Sequence, residues 1–279
     1  MSRNPMASTW WLDGQRCLSM SPDERGFLYG DGLFSTMRVR QGMIGLWPHH
    51  LHRLQEGALH LGLAVDLTGL EHWLKQMAER VGDGTLKVII SRGKGLRGYL
   101  PPVQPARCYV QLTPVVTTVR DSDPDGLQGA LPIDSGVLQG CLGHQSPLLA
   151  GLKTLNRLEQ VLLRQALAQT AWPEALVADL DGMLVEGVQS NCFLLMDGVW
   201  QTPDLSKAGI TGVMRAEILH RMADREIDCR ISRVPVALID RIEALFFCNA
   251  LTGMVPVAQL AGRALNLSAV DSLLADLLS

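Results

Sequence analysis

Among the 279 residues, Lys153 has the surroundings that most invite chemistry. It follows Gly151 and Leu152 and stands ahead of a helical pattern in 150–169, where Leu155, Leu158, Leu162 and Ala166 recur at helical spacing. Lys153 lies off that apolar face. Its amine can therefore be held by the scaffold while pointing away from the core; a solvated surface lysine is the ordinary alternative. Glu186, in M-L-V-E-G-V, is flanked by apolar residues and is expensive to bury without a cationic or hydrogen-bonding partner. A solvated strand face would accommodate it equally. Ile210-Thr211-Gly212 opens another helical pattern, where exposed N–H groups attract anions and Thr211 adds a hydroxyl. An ordinary threonine N-cap has the same appearance.

Two further clusters resemble sites without the spacing to be one. His49, His50 and His52 do not share one helix face, and no carboxylate is spaced to join them, so surface or capping histidines are expected and no metal. Gly93, Gly95 and Gly98 match G-x-G-x-x-G after a strand pattern, but such a fingerprint must open a helix and Pro101-Pro102 forbid one. A loop carrying Arg97 and Tyr99 is the better reading.

These residues need elements to position them. Trp10 to Leu12, an Asp13-Gly14 turn and Arg16 to Leu18 predict a hairpin. Leu33 to Arg40 alternates as a strand, turned at Gln41-Gly42 into Met43 to Leu46. Pro48 suits a first helical turn, with Leu51, Leu54, Ala58 and Leu61 on one face and Arg53 off it. Thr68 and Glu71 form a T-x-x-E capping box for a helix reaching about Arg80. Strands follow over 85–92 and 107–115. A polar stretch over 118–126 reads as a linker between a smaller α/β domain, 1–117, and a larger one, 127–279. In the second half, strands are expected over 174–179, 184–188 and 191–196. A helix follows Thr211, with Val213, Ile218 and Leu219 on its apolar face; 244–257 is a strand running into a loop, and 268–278 a closing helix.

A chain of this length with 47% hydrophobic residues can bury a sizeable core. Its net charge of −3 and lack of a basic stripe exclude nucleic acid as an expected partner. No apolar run reaches the roughly 18 residues of a membrane span, and a cytoplasmic protein is expected. Six scattered cysteines without C-x-x-C spacing argue against zinc and disulfides, and read as buried thiols.

G-L-K-T-L-N-R-L-E-Q, with Lys153, Asn156, Arg157 and Glu159, resembles the cofactor-lysine segment of the fold-type IV pyridoxal-phosphate enzymes. The resemblance implies two α/β domains with the cofactor site between them, and a homodimer. It implies that Lys153 forms the Schiff base with pyridoxal 5'-phosphate, with Asn156 close to the cofactor. His50 to Leu54 resembles the segment of the family's phosphate-binding arginine, here Arg53, whose planar fork pairs two phosphate oxygens at once. V-E-G-V-Q-S-N-C-F resembles the segment whose glutamate, here Glu186, pairs with the protonated pyridine nitrogen. Ile210 and Thr211, and then Asn249 and Ala250, resemble two further phosphate contacts. S-R-G-K-G-L-R-G-Y resembles a loop whose arginine, here Arg97, faces the substrate pocket with Tyr99, and in related enzymes reaches over from the other subunit. These anchors fall in the family's order along nearly the whole chain.

Within the family the wording is most similar to the lyases acting on 4-amino-4-deoxychorismate, which yield 4-aminobenzoate and pyruvate on the way to folate. That likeness implies Lys153 as base and makes Lys153 or Thr36 the candidate for protonating the enolpyruvyl group. Phe34 takes the place of a catalytic tyrosine in the D-amino-acid aminotransferases, which counts against that activity. The loop at His144 and Gln145 departs from the expected Arg-Asn pair. An aminotransferase on the same scaffold is the alternative, and a non-catalytic binding protein the second one, disfavoured by the presence of both Lys153 and Glu186.

Overall fold

The computed structural model describes residues 8–115, 125–127 and 131–279. The linker read over 118–126 lies outside the described residues except for Asp125 and Gly126. The chain divides into two compact units. One comprises Met1–Asp125 with Lys153–Asn156, the other Gly126–Leu152 with Arg157–Ser279.

In the first unit, β1 (Thr9–Leu12) and β2 (Gln15–Arg16) form the expected hairpin, with Asp13 and Gly14 both at positive φ. A short helix, α1 (Arg25–Tyr29), precedes β3 (Gly32–Arg40) and β4 (Met43–Ile44). Helices α2 (Trp47–His60) and α3 (Leu67–Val81) then lead into β5 (Gly84–Ser91) and β6 (Arg107–Pro114). The strands make one antiparallel sheet in the order β2-β1-β6-β5-β3-β4. Alternation sorts β3 and β5 into two faces. Leu33, Met37, Val39, Leu86, Val88 and Ile90 pack with Leu54, Leu70, Leu74 and Met77 of the two helices into the core. Phe34, Thr36, Arg38, Lys87 and Ile89 occupy the half-buried opposite face. Each fully buried leucine in that core stabilises the unit by roughly 1.5–3 kcal/mol, so the strand register is strongly fixed.

The second unit starts with β7 (Ile133–Ser135) and β8 (Val137–Leu142), then α4 (Leu158–Leu167). Hairpins follow: β9 (Leu176–Asp179) with β10 (Met183–Gly187), and β11 (Asn191–Met196) with β12 (Val199–Pro203). Next come α5 (Val213–Asp224), β13 (Cys229–Ser232), β14 (Val234–Pro235) and a 3-10 turn over Val236–Arg241. The chain closes with β15 (Ala244–Asn249), β16 (Gly253–Leu260), β17 (Arg263–Ala264) and α6 (Leu267–Leu278). One sheet runs β14-β10-β9-β8; the other runs β13-β12-β11-β15-β16-β17, with β7 also on β16. Phe193 and Phe246 stack at 5.0 Å between ring centres in the larger sheet's core.

Several expectations need correction. The helix after Lys153 begins only at Leu158 and buries Leu163 and Leu167; Leu158 and Leu162 are 71% and 56% exposed, and Ala166 is exposed too. The predicted face failed because Leu155 is not helical, which shifts the phase of the apolar stripe. Asp66, not Thr68, caps α3, its carboxylate accepting from Gly69 N at 3.0 Å. Glu71 instead accepts from Trp47 Nε1 and pairs with Lys75. Residues 253–257 continue as strand β16 where a loop was expected. All six cysteines are free, but only Cys192 and Cys248 are buried, and Cys141 is exposed.

Candidate active site

Lys153 is placed by its main chain. Phe34 N donates to Lys153 O at 3.0 Å, Leu155 N donates to Gly32 O at 3.0 Å, and Thr154 pairs with Leu33, so 153–155 lies along the start of β3 as a short added strand. The Lys153 ammonium stands 4.7 Å from the centre of the Phe34 ring, whose face attracts cations. Thr36 lies two residues along the same face of β3. Asn156 ends the segment, its Nδ2 donating to Tyr29 O at 3.2 Å. Gly30 permits this approach: it sits at φ 67°, and a Cβ there would collide with the Asn156 amide.

Arg53 projects from α2 toward Ser35 on β3, Nη1 to Oγ being 3.5 Å. Burial pulls the guanidinium down to about 10. His50, one helical turn earlier, is fully buried and shares a 2.8 Å hydrogen bond with Ser35 Oγ through Nδ1, which corrects the surface or capping role expected of it. Burial first, and then the charges of Arg53, His49 and Lys153, lower it to about 3. It is therefore neutral at physiological pH. Its Nε2 is buried without a hydrogen-bond partner among the described residues.

In the second unit, Glu186 is 5% exposed on β10. Its Oε2 accepts from Ile210 N at 3.0 Å and from Asn191 Nδ2 at 3.2 Å. Asn191 Nδ2 also donates to Ile210 O at 2.9 Å, so the carboxylate, the amide and the chain ahead of α5 brace one another. Arg157 donates to Leu152 O at 2.9 Å; burial lowers it, and the charge of Glu186, followed by Glu159, pushes it back up. Thr211 does not cap α5. Gly212 holds the cap position, and Thr211 Oγ1 donates to Gly151 O at 2.9 Å. Asn249 closes the β15–β16 turn, its Oδ1 accepting from Leu251 N and Thr252 N, both at 2.9 Å, with Ala250 half-buried in that turn.

The loop carrying Arg97 and Tyr99 forms no helix. Arg25 holds it by donating to Gly98 O at 2.9 Å and Tyr99 O at 3.1 Å, while both site candidates stay exposed, Tyr99 at 87%. At His144 and Gln145 the chain is tied down instead by Gln145 N donating to Lys207 O at 2.8 Å. His144, Asp179 and Asp181 cluster as metal ligands would, yet Lys207 and Arg233 each bond Asp181 at 2.9 Å and hold it at about 2. Those two cations already neutralise the carboxylates.

The match to the family model for class IV aminotransferases spans residues 32–260. The chain belongs to that family. Its fold is similar to the crystal structure of a 4-amino-4-deoxychorismate lyase from Pseudomonas aeruginosa, with 38% identity, TM-score 0.85, and coverage of 96% of this chain and 97% of that one. An aminodeoxychorismate lyase of Vibrio harveyi is 29% identical over 89% of this chain and 90% of its own length. A Mycobacterium tuberculosis protein named a bifunctional aminodeoxychorismate lyase and D-amino acid transaminase is 27% identical over 91% and 90%.

The family's donor chemistry suits pyridoxal phosphate, and the residues here fit it. The buried Arg53 guanidinium suits a phosphate, and the Glu186 carboxylate, held by Ile210 N and Asn191 Nδ2, suits a ring N–H. Sequence reading missed three supports: His50 with Ser35; Asn191, quoted only as part of a motif; and Glu174. The buried Glu174 accepts from Val188 N at 2.8 Å and Ser190 Oγ at 3.0 Å, and Ser190 Oγ in turn accepts from Asn249 Nδ2 at 3.0 Å. Burial raises Glu174 despite those bonds. For His50 and Ser35 a signal existed: Ser35 occupies a core-facing position of β3 and demands a partner.

Proposed function

We infer that this chain is a pyridoxal-phosphate-dependent lyase that converts 4-amino-4-deoxychorismate to 4-aminobenzoate and pyruvate. The observation that carries the reading is the whole-length likeness to a lyase of known structure, at 38% identity over 96% of this chain. The bound cofactor supplies an electron sink for the carbon that carries the substrate's amine. Lys153 would hold it through its amine, and the same amine is the base for the proton on that carbon. Arg53, with the N–H groups and hydroxyl at Ile210 and Thr211 and the turn at Asn249 and Ala250, serves the phosphate. Glu186 serves the pyridine nitrogen, and Asn156 steadies the segment bearing Lys153.

As the proton leaves, the carbon–oxygen bond to the neighbouring enolpyruvyl group breaks and the ring becomes aromatic. Lys153 or Thr36 returns a proton to the departing enolpyruvyl methylene, giving pyruvate. No oxidant and no amino acceptor enters the balance. Arg97 and Tyr99 serve the substrate; together with Leu96, Leu100 and Val103 they give the first unit an exposed loop suited to a second copy of the chain. A homodimer is therefore part of this reading, and a single-chain mass by light scattering would remove it. We place the enzyme in the cytoplasm; among the described residues no helix is long and apolar enough to cross a membrane.

Incubation with aminodeoxychorismate alone tests the reaction. The two products should accumulate in equal amounts over many turnovers. Turnover that requires a keto-acid acceptor would move the assignment to an aminotransferase. Phe34, in place of the tyrosine expected of the D-amino-acid enzymes, supports the lyase.

A further inference from the structure

Between Glu186 on β10 and Asn191 on β11 the chain reverses in a tight turn, Gly187 N donating to Ser190 O at 2.6 Å. A carboxylate from outside the turn fills it. Glu174, two residues ahead of β9 and 5% exposed, accepts from Val188 N at 2.8 Å, from Gln189 N at 3.3 Å and from Ser190 Oγ at 3.0 Å. Its main chain is pinned separately, the carbonyl accepting from Ser135 Oγ at 3.0 Å. Gly187 makes the room, because a Cβ there would stand 2.9 Å from the Phe247 ring and 3.1 Å from the Glu174 carboxyl carbon. The Ser190 hydroxyl gives its single proton to the carboxylate, which leaves its lone pairs to accept from Asn249 Nδ2 at 3.0 Å. Asn249 cannot turn its amide round, since Oδ1 already holds Leu251 N and Thr252 N. The bonds therefore run in one direction, from Asn249 to Ser190 to Glu174, and end on a buried carboxylate.

We propose that Glu174 is a positioning residue for the cofactor's phosphate, fixing the β15–β16 turn through Ser190 and the Asn249 amide. The proposal rests on the pyridoxal-phosphate reading and deepens it. Ser190 and Asn249 stand one step beyond Asn191 and Cys248, the pair at which the β11–β15 ladder stops. A side-chain bond takes over there. Beyond it the turn reaches solvent, with Leu251 39% exposed and Thr252 exposed as well, so its inner end is where it can be steadied. The same carboxylate holds the main chain between Glu186 and Asn191, the two side chains assigned to the pyridine end of the site. One buried group thus ties the turn assigned to the phosphate to the seat of Glu186.

Titrating the cofactor-free full-length chain with pyridoxal 5'-phosphate and with pyridoxal, which lacks the phosphate, tests this by absorbance and tryptophan fluorescence. One hydrogen bond of this kind corresponds to about tenfold in affinity. Ser190→Ala cuts the link and leaves Glu174 its main-chain donors, so it should weaken pyridoxal 5'-phosphate about tenfold and pyridoxal less than about twofold. Glu174→Gln sets an amide NH2 against the donors it replaced a carboxylate for, and should weaken the same compound in the same sense. Combining the two should cost less than the sum of the separate losses, because both break one chain of bonds. Equal weakening of both compounds, an unchanged affinity for pyridoxal 5'-phosphate in Ser190→Ala, or losses that add would each overturn the proposal. Unfolding of Ser190→Ala would make the role structural and overturn it too; if Glu174→Gln alone unfolds, the Ser190→Ala titration decides. Failure of the cofactor reading is distinguishable, because the wild-type chain would then bind pyridoxal 5'-phosphate no more tightly than pyridoxal.

Discussion

Lys153 and Glu186, the two residues on which the chemistry turns, are held by different parts of themselves. The lysine is fixed through its main chain, laid against β3 by ladder bonds at Phe34 and Leu155, with its four-carbon stem reaching over an aromatic ring. The glutamate is fixed through its side chain, buried and bonded by Ile210 N and Asn191 Nδ2. A lysine stem seated by main-chain bonds suits a group that both holds a cofactor and carries protons. A carboxylate gripped by N–H donors keeps its place. The mobile and immobile parts of the proposed chemistry thus have separate anchors, and mutation should separate them.

The largest effect is expected at Lys153. Lys153→Ala leaves the ladder bonds intact, because they belong to the main chain, so Tm should hold while turnover falls by at least about a thousandfold, within the range of general acid–base catalysis. Borohydride should no longer attach a pyridoxyl group at this position. Unfolding of the variant would show that the side chain, too, supports the seat, and the contrast with Glu186 would break. Glu186→Ala should behave in the opposite sense. It strands Ile210 N and the Asn191 amide in a buried place, so denaturant unfolding should show a loss of about 3 kcal/mol together with weak cofactor binding. A variant of unchanged stability would mean that those donors find other partners.

Both seats were partly legible in the sequence, for different reasons. The alternation of β3 placed Phe34 and Thr36 on one face, because a half-buried strand writes its burial with period two. Lys153 stood out for its wording, but the helix drawn around it was misplaced. The short stretch 153–156 joins the other unit's sheet edge, a long-range pairing that no local periodicity records. Glu186 was visible as a carboxylate in an apolar run that needed partners, yet nothing local identified Ile210 as one of them, twenty-four residues away. His50 was misread because its partner, Ser35, lies on a strand fifteen residues earlier. Thr68 matched a capping box, but the helix already starts at Leu67, so the cap falls to Asp66, whose carboxylate accepts from Gly69 N.

Acid sharpens the comparison in the first unit. His50 has an ordinary value of 6.5 and is lowered to about 3 in the fold, first by burial and then by Arg53, His49 and Lys153. Above the ordinary value both states are neutral and its contribution to stability is complete. As pH falls below it, the unfolded chain takes a proton that the fold refuses, so stability drops by about 1.4 kcal/mol per pH unit from this group until the folded value is reached. Urea midpoints at pH 7, 6 and 5 should follow that slope. His50→Asn should flatten it, and an unchanged slope would assign the acid sensitivity to other groups.

The smallest expected effect is at Asn156, and it tests most directly whether the main chain alone seats Lys153. Its amide bond to Tyr29 O is exposed, so Asn156→Ala should cost no more than about 1 kcal/mol, the usual worth of one such bond. If the ladder bonds of Phe34 and Leu155 fix the segment, turnover should change by less than about threefold, since a shift of a few tenths of a kcal/mol moves a rate by no more. Gly30→Ala is the harsher companion, because its new Cβ collides with the same amide at a positive φ and pushes the segment from its end. Should Asn156→Ala alone remove about tenfold or more of the turnover at unchanged Tm, a side chain would be holding the reactive amine in register. Lys153 would then be seated in the same manner as Glu186, with the mobility of its stem limited at both ends.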